Sequence, residues 1–557
     1  MMKILTGSQM SQVDRLTVEL VGIPFATLME TAGVSVARVV EECLAGAQES
    51  WGGAPWRFMV VCGKGNNGGD GAVVARHLWL RRLGRVEVFL VGRLEEMRGE
   101  ARANVEIVRS IAKMDSSLGY SEVYRDLPSV AIGGDRLVII DALFGTGLAR
   151  RVEGASAAMI ELVNGLRTRG AMVVSIDLPS GLASDSGEVQ EPHVRADLTV
   201  TLTAPKIANI VQPAASSSGR LVVAPIGSPE SLIDQVLEMD EVAGAGGALE
   251  LVEKAWVGEW LEWSRREVTA HKGAVGRVML IAGGSGRTGA AALAAGAVLR
   301  SGAGLVTVGT PVSALPLLVS QCDSEVMTRA LPETPGGGFG LDSLEAVAGL
   351  AESWDALAIG PGIRSGEDET RLFVRRLVER RRGPVVIDAD GLNALAPWPA
   401  DLRGSLDLPI VITPHPGEMA RLAGMTIAEI EQDRIGVARR MARQHQLIVV
   451  LKGAGTVIAD PSGRVVINST GNEGMATAGA GDVLTGLLAG LLAQRPMPAL
   501  EAVMAGVWLH GKAGDLAAVR CGKRSMIASD IRDQIGEAII AVGGSAEGRG
   551  GSAGQLS

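Results

Sequence analysis

Two glycine-rich turns, each with an aspartate at or next to its end, hold the residues of this chain best placed to do chemistry. The first is Cys62-Gly63-Lys64-Gly65-Asn66-Asn67-Gly68-Gly69-Asp70-Gly71, and the second is Gly471-Asn472-Glu473-Gly474-Met475-Ala476-Thr477-Ala478-Gly479-Ala480-Gly481-Asp482. Each follows strand-like sequence and opens into an apolar helix. Backbone N–H groups at a helix start are unpaired and carry about half a positive charge, which favours an anion such as phosphate. Two different turns of this kind point to two nucleotide-handling sites on two domains.

Within the first turn, Gly63 to Gly68 matches the GxGxxG spacing of dinucleotide-binding loops. The acidic residue expected at the end of the next strand is missing, since that position reads Val91-Gly92-Arg93. A plain redox dehydrogenase is therefore not the preferred reading. Two other strand ends carry an acid: Asp141 heads Asp141-Ala142-Leu143-Phe144-Gly145-Thr146-Gly147, and Asp177 heads Asp177-Leu178-Pro179-Ser180-Gly181. Ligands of open α/β sheets bind outside the carboxyl ends of the strands. Each acid alone fits a helix cap equally well, but three loops with this placement favour one shared site.

In the second turn, glycines let backbone donors approach a transferring phosphoryl group, and Asp482 can take a proton from an attacking hydroxyl. The competing reading is a capped core helix. Leu484, Leu487, Leu488, Leu491 and Leu492 form one helical stripe, and Pro496 limits its continuation. No Walker A sequence is present, which disfavours a P-loop NTPase.

The elements that must position these residues alternate. Strand candidates are Arg57–Cys62, Val86–Val91, Leu137–Ile140, Met172–Ile176 and Leu198–Thr203, with helical stretches such as Ala72–Arg82 between them. Their continuous apolar character suits strands of a mostly parallel sheet buried on both faces. A second pattern begins at Val278-Met279-Leu280-Ile281-Ala282, followed by the glycine loop Gly283–Gly289. It continues through Ala356–Ile359, Val385–Ile387, Ile410–Ile412 and Ile448–Leu451, and ends in a hairpin of Thr456–Ile458 and Val465–Ile467. The fold class expected is α/β, with an N-terminal Rossmann-like three-layer domain over 1–230 and a C-terminal ribokinase-like three-layer domain over 269–542. Residues 231–268, with the Gly/Ala-rich stretch Glu241–Gly247 and Trp256, Trp260 and Trp263, are expected to link them, the tryptophans serving packing. The Gly/Ser-rich residues 543–557 are expected to be a disordered tail.

A chain of 557 residues exceeds one typical core, and 47% hydrophobic against 21% charged residues supports buried cores. A net charge of −9 argues against a nucleic-acid partner, and the run Arg375, Arg376, Arg380, Arg381 and Arg382 reads as a solvated helix end. Cys43, Cys62, Cys322 and Cys521 are scattered, which disfavours zinc and disulfides. No apolar run reaches the roughly 18 residues that span a bilayer, and the N-terminus lacks a signal-peptide core. The expectation is a soluble cytoplasmic protein without a membrane partner.

The first half resembles the epimerase domain of the NAD(P)H-hydrate repair system. The resemblance is carried by Leu28-Met29-Glu30-Thr31-Ala32-Gly33, Gly65–Gly71, Asp141–Gly147, Asp177–Gly181 and Ala204-Pro205-Lys206. It implies substrate contacts from Asn66, Asn67, Gly68, Gly69, Asp70, Gly145, Thr146, Gly147, Leu148, Ala149, Arg150, Arg151 and Asp177. It also implies a potassium ion (K+) held by Asn67, Asp141 and Ser180, whose oxygens suit a hard cation. The implied substrates, NADHX and NADPHX, are hydrated at C6 of the nicotinamide ring. That carbon bears both a hydroxyl and the ring nitrogen, so its configuration inverts through ring opening or ionisation. Asp177 is expected to transfer the proton. Lys206 is either an electrostatic contributor or a surface lysine.

The second half resembles the ribokinase-like NAD(P)H-hydrate dehydratases. The matching residues include His271-Lys272-Gly273, Gly283-Gly284-Ser285, Gly360-Pro361-Gly362, Asp388–Asn393, Pro414–Glu418, Lys452–Thr456 and Gly471–Asp482. The resemblance assigns Lys452, Gly453, Ala454, Gly455, Thr456 and Gly481 to nucleotide binding. It assigns Ala290, Gly362, His415 and Asp482 to the hydrated dinucleotide, with Asp482 catalytic. Asp388 and Asp390 either act through Mg2+ or cap the following helix. The implied reaction phosphorylates the C6 hydroxyl from ADP, and loss of phosphate restores the dihydronicotinamide and leaves AMP. ADP rather than ATP follows from resemblance to fused prokaryotic members. The same resemblance implies a homo-oligomer. The chain thus reads as a bifunctional repair enzyme, against two rivals: a vitamin-type kinase fused to a noncatalytic nucleotide-binding domain, and a noncatalytic ligand-binding protein.

Overall fold

The computed structural model describes residues 1–47, 56–124, 127–130, 136–148, 150–242, 248–349, 354–494 and 498–543. They divide into two compact units, one running from Lys3 to Ala248 and the other from Leu249 onward together with Met1–Met2.

The first unit is built on strands β1 (Trp56–Cys62), β2 (Gly84–Val91), β3 (Leu118–Val123), β4 (Arg136–Ala142), β5 (Met172–Ile176), β6 (Leu198–Leu202) and β7 (Arg220–Ala224). They form a seven-stranded sheet in the order β3-β2-β1-β4-β5-β6-β7. Every pairing in it is parallel. The period-two alternation of β1 shows why three layers form. Phe58, Val60 and Cys62 enter one core, whereas Met59 and Val61 enter the core on the opposite face. The sequence places a helix at Ala72–Arg82, but it spans Asn66–Leu80, so Asn66–Asp70 are its first turns rather than a loop before it. Gly68 permits this, because a Cβ there would lie 1.8 Å from the Gly63 carbonyl oxygen.

The second unit contains β8 (Leu249–Leu251), β9 (Arg277–Ile281), β10 (Leu305–Pro311), β11 (Met327–Leu331), β12 (Ala356–Ile359), β13 (Val385–Ile387), β14 (Ile410–Ile412), β15 (Ile448–Leu451), β16 (Val457–Ala459) and β17 (Val465–Ile467). Their order is β8-β17-β16-β15-β14-β13-β12-β9-β10-β11. Pairing is parallel from β15 across to β11, and β15-β16-β17 is an antiparallel meander that contains the expected hairpin.

The leucine stripe after the second turn lies on helix Ala480–Leu492, which is buried on more than one face against helices Thr288–Arg300 and Ala499–Cys521. Gly486 allows the first of these contacts, since a Cβ there would sit 2.0 Å from the Ala294 carbonyl oxygen. Gly486→Ala is therefore expected to destabilise this unit by about 1–3 kcal/mol through overpacking, read as a lower urea midpoint.

Residues 231–268 carry more structure than a linker. Helix Glu230–Val242 packs Leu232, Ile233 and Val236 against Leu5, Met10 and Val13 of the first unit. Strand β8 pairs with β17, and helix Lys254–Trp263 buries Trp260 while Trp263 stays exposed. Residues 243–247, all but the first two of the Gly/Ala stretch, lie outside the described residues, as do residues 544–557 of the expected tail. Gly543 ends helix Ile535–Gly543. No described helix is long and apolar enough to cross a membrane.

Candidate active sites

In the first unit the strand order reverses between β1 and β4, so the loops after these strands diverge and leave a crevice. The Asn67 side-chain amide donates to the Phe144 carbonyl at 2.8 Å. Asp141 accepts from the Ser175 hydroxyl at 2.8 Å, the Ser180 hydroxyl at 2.6 Å, and the Ser180 and Leu143 N–H groups at 2.9 and 3.3 Å. Burial raises the Asp141 pKa, and the bonds from Ser180, Ser175 and Leu143 oppose that rise. The Phe144 N–H donates to the Ser180 hydroxyl at 2.8 Å. Asn67, Asp141 and Ser180 are thus linked around one stretch of backbone, with only oxygen and amide groups on offer.

Asp177 follows β5 with φ +68, a left-handed conformation that costs a non-glycine residue about 1–3 kcal/mol. Its Oδ1 accepts from Lys206 Nζ, from the Thr201 hydroxyl at 3.1 Å and from the Leu202 N–H at 3.2 Å. Lys206 is completely buried, which excludes the surface-lysine alternative. Its ammonium also donates to Thr201 Oγ1 at 3.2 Å and the Leu202 carbonyl at 2.9 Å, so all three of its protons are committed. A Cβ on Gly145 would lie 3.7 Å from Asp177 Oδ2 and 3.5 Å from the Asn67 side chain, which puts the three expected loops side by side.

Two carboxyls share this charge environment. Burial pushes the Asp70 pKa well above the usual range, with Asp177 and Asp14 adding to the rise and Lys206 opposing it. Asp14 is raised to about 6 by burial, against the pull of Lys206. Its Oδ1 is shut from solvent without a hydrogen-bond partner. Asp14 was not singled out from the sequence. The available signal was a carboxylate beside Met10 and Val13 on helix Gly7–Leu16, on a face that continues into Thr17 and is otherwise buried.

The rest of the expected contact loop is more dispersed. The Thr146 carbonyl accepts from the Ser184 hydroxyl at 3.4 Å, Gly147 and Arg150 are exposed, and Leu148 packs at the edge of a core. Arg151 Nε donates to the Glu191 carbonyl at 3.0 Å. Ala149 lies outside the described residues.

In the second unit the reversal falls between β9 and β12. Their following loops are joined by the Gly283 and Gly284 N–H groups, which donate to the Pro361 and Gly362 carbonyls at 2.9 and 2.7 Å. A cleft of about 500 Å³ opens there and is lined by Ala290, Gly362, His415 and Asp482, together with Arg287, Asp390, Asn393, Glu418 and Arg421. Burial raises the Asp482 pKa to about 7, with Asp388 adding to the rise and Lys452 opposing it.

Lys452 opens the loop after β15, with its ammonium 2.5 Å from Asp388 Oδ1 and 3.8 Å from Glu418 Oε2. Burial acts to lower its pKa, but the attraction of Asp388 and Glu418 wins and the net shift is upward. A Cβ on Gly481 would touch both Asp388 Oδ2 and Lys452 Nζ at 3.4 Å, so the helix start faces this ion pair. The loop itself is held by the buried Arg434, which donates to the Leu451 and Lys452 carbonyls at 3.2 Å and to that of Ala454 at 2.9 Å. His510 Nε2 lies 3.0 Å from the Ala480 carbonyl, and burial lowers its pKa to about 4, so it meets that carbonyl as a neutral N–H donor. Neither Arg434 nor His510 stands out in the sequence, because each acts on a carbonyl distant along the chain.

The helix-cap alternative for Asp388 and Asp390 fails. Helix Asp390–Ala394 is preceded by Ala389, with φ +50 and no side-chain cap. Asp388 Oδ2 instead accepts from the Thr485 hydroxyl at 2.9 Å. Asp390 Oδ2 accepts from Arg287 Nη1 at 2.6 Å and the Arg364 N–H at 3.1 Å. His415 Nδ1 accepts from the Gly417 and Glu418 N–H groups at 3.0 and 3.4 Å, capping helix Pro416–Ala423, and the residue lines the cleft.

Two family models match the chain: a YjeF-related protein N-terminus over residues 26–208 and an NAD(P)H-hydrate dehydratase over residues 278–537. The bifunctional NAD(P)H-hydrate repair enzyme Nnr of Moorella thermoacetica is 44% identical, covering 96% of this chain and 96% of its own length. Its Escherichia coli counterpart is 33% identical over 93% of this chain and 90% of its own. The crystal structure of an ADP/ATP-dependent NAD(P)H-hydrate dehydratase from Bacillus subtilis is 32% identical, covers 50% of this chain and 94% of its own, and has a TM-score of 0.44. At this identity and coverage, the chain belongs to the family of bifunctional NAD(P)H-hydrate repair enzymes.

Proposed function

We propose that the first unit interconverts the R and S forms of NADHX and NADPHX, and that the second dehydrates the S form with ADP. The observation that carries this reading is Asp482. It is a carboxyl tuned to about 7 at a helix start, beside Lys452 and in the cleft with Gly362 and His415. A general base is most effective with a pKa near the working pH.

In this reading Asp482 takes the proton of the C6 hydroxyl as its oxygen attacks the β-phosphorus of ADP. Backbone donors at Gly481 and the Lys452 ammonium stabilise the charge developing on the transferred group. The C6–O bond then breaks with the electron pair leaving on phosphate, pushed by the ring nitrogen, and loss of a C5 proton restores NADH or NADPH. The products balance as AMP, phosphate and the repaired dinucleotide. Lys452, Gly453, Ala454, Gly455 and Thr456 form the nucleotide loop. Arg434→Met, which frees three carbonyls of that loop, is expected to raise the KM for ADP by about tenfold while epimerisation is spared.

In the first unit Asp177, held in place by Lys206, takes the proton of the C6 hydroxyl as the C6–N bond opens and the ring nitrogen gains a proton; re-closure on the other face of the carbonyl reverses both transfers. Asn66, Asn67, Gly68, Gly69, Asp70 and the Gly145–Arg151 loop hold the substrate. Asn67, Asp141 and Ser180 would hold K+, which would supply positive charge beside the bound dinucleotide; the Ser175 and Ser180 hydroxyls that donate to Asp141 can rotate to leave its oxygens to the ion. Mg2+ fits the second site as an ion carried on the nucleotide phosphates, since both Asp388 oxygens already accept from Lys452 and Thr485. The residue roles and homo-oligomerisation rest on the family resemblance, and a cytoplasmic location rests on the scattered cysteines and the lack of a membrane-spanning run.

The decisive assay supplies the purified protein with mixed NADHX epimers and either ADP or ATP, and follows NADH absorbance and phosphate release. Full conversion of both epimers with ADP is expected. No NADH with either donor would overturn the proposal.

A further inference from the structure

The cleft of the second unit has an electrostatic imbalance. Its lining includes three carboxylates, Asp390, Glu418 and Asp482, yet its proposed occupant is a dinucleotide whose phosphates are anionic. Arg287 is neutralised by Asp390 at 2.6 Å. Glu418 accepts from the His415 N–H at 2.8 Å and lies 3.8 Å from the Lys452 ammonium. Arg421 is then the cation, among the described residues lining the cleft, that has no carboxylate partner.

Its geometry suits a phosphate. Arg421 lies on helix Pro416–Ala423, the helix that His415 caps from the same cleft. Its Nε donates to Asn393 Oδ1 at 2.9 Å, and Asn393 Nδ2 reaches Asp390 Oδ1 at 3.5 Å. The guanidinium is tethered at one edge, while its two terminal nitrogens have no acceptor among the described residues. A guanidinium edge presents parallel N–H groups that match two phosphate oxygens, which a point-charge lysine does not reproduce.

We propose that Arg421 binds a phosphate of the hydrated dinucleotide and so sets the affinity of the second site for its substrate. This rests on the dehydratase reading of the cleft. Two sources offer the same chemistry, the pyrophosphate common to both substrates and the 2′-phosphate of NADPHX alone.

The test compares full-length wild type, R421Q and R421K with S-NADHX and S-NADPHX at saturating ADP, then with ADP varied. R421Q is expected to raise the hydrate KM by about tenfold or more, with kcat and the KM for ADP unchanged. R421K should recover part of the loss. An equal rise for the two substrates identifies the pyrophosphate, and a larger rise for S-NADPHX identifies the 2′-phosphate. An unchanged hydrate KM in R421Q, or a rise confined to ADP, overturns the proposal while leaving the dehydratase reading intact. Should R421Q fail to fold, R421K carries the test, and a wild-type hydrate KM in R421K then overturns the proposal. Absence of turnover by the wild type overturns both.

Discussion

Asp482→Asn is expected to slow dehydration of the S hydrate by about 10²–10⁴-fold, the range removed with a positioned acid–base group. The amide keeps the shape and the helix-start position but cannot take the hydroxyl proton. Epimerisation should be untouched, because that chemistry belongs to residues of the other unit. A pH profile gives a second signature. The base works only when ionised, and burial holds its pKa at about 7. The rate should therefore be flat above that value and fall by about tenfold per pH unit below it. An Asn variant with wild-type kcat, or a profile flat down to the ordinary carboxylate range, would remove Asp482 from the chemistry.

Asp177→Asn should slow use of the R hydrate by a comparable 10²–10⁴-fold while the S hydrate is dehydrated at the wild-type rate. Folding complicates this variant, because Lys206 is wholly buried and would lose its counter-charge. Leaving one partner of a buried pair uncompensated costs about 3–5 kcal/mol. Combining Asp177→Asn with Lys206→Met removes the orphaned charge and separates the two effects. The double variant should regain stability but not R-epimer turnover. Equal loss for both epimers in either variant would contradict the division of labour between the units.

Much of the fold was legible because its signals are local. The strands Ala356–Ile359, Val385–Ile387, Ile410–Ile412 and Ile448–Leu451 fall where short apolar runs place them. The start of the Asn66–Leu80 helix was missed, since glycines at 68, 69 and 71 read as a loop. They serve close packing instead, as the approach of Gly68 to the Gly63 carbonyl shows. The linker reading of residues 231–268 missed a helix whose apolar face is covered by the N-terminal segment some 220 residues earlier in the chain. Windowed periodicity has no access to such a partner.

For the sites, residue types and motif order in the chain were enough to nominate Asp177 and Asp482 and to identify the family. Backbone-determined features such as glycine turns and strand ends are written locally, so they survive reading in one dimension. The raised pKa of Asp482 and the groups that hold both acids were settled only by tertiary structure. Lys206 stays open between an electrostatic contributor and a surface lysine until the fold buries it on Asp177, and Asp14, Arg434 and His510 acquire meaning only beside partners far along the chain. The physical reason is that desolvation and Coulomb interaction depend on distance in space and on exclusion of water. Both are properties of the packed molecule.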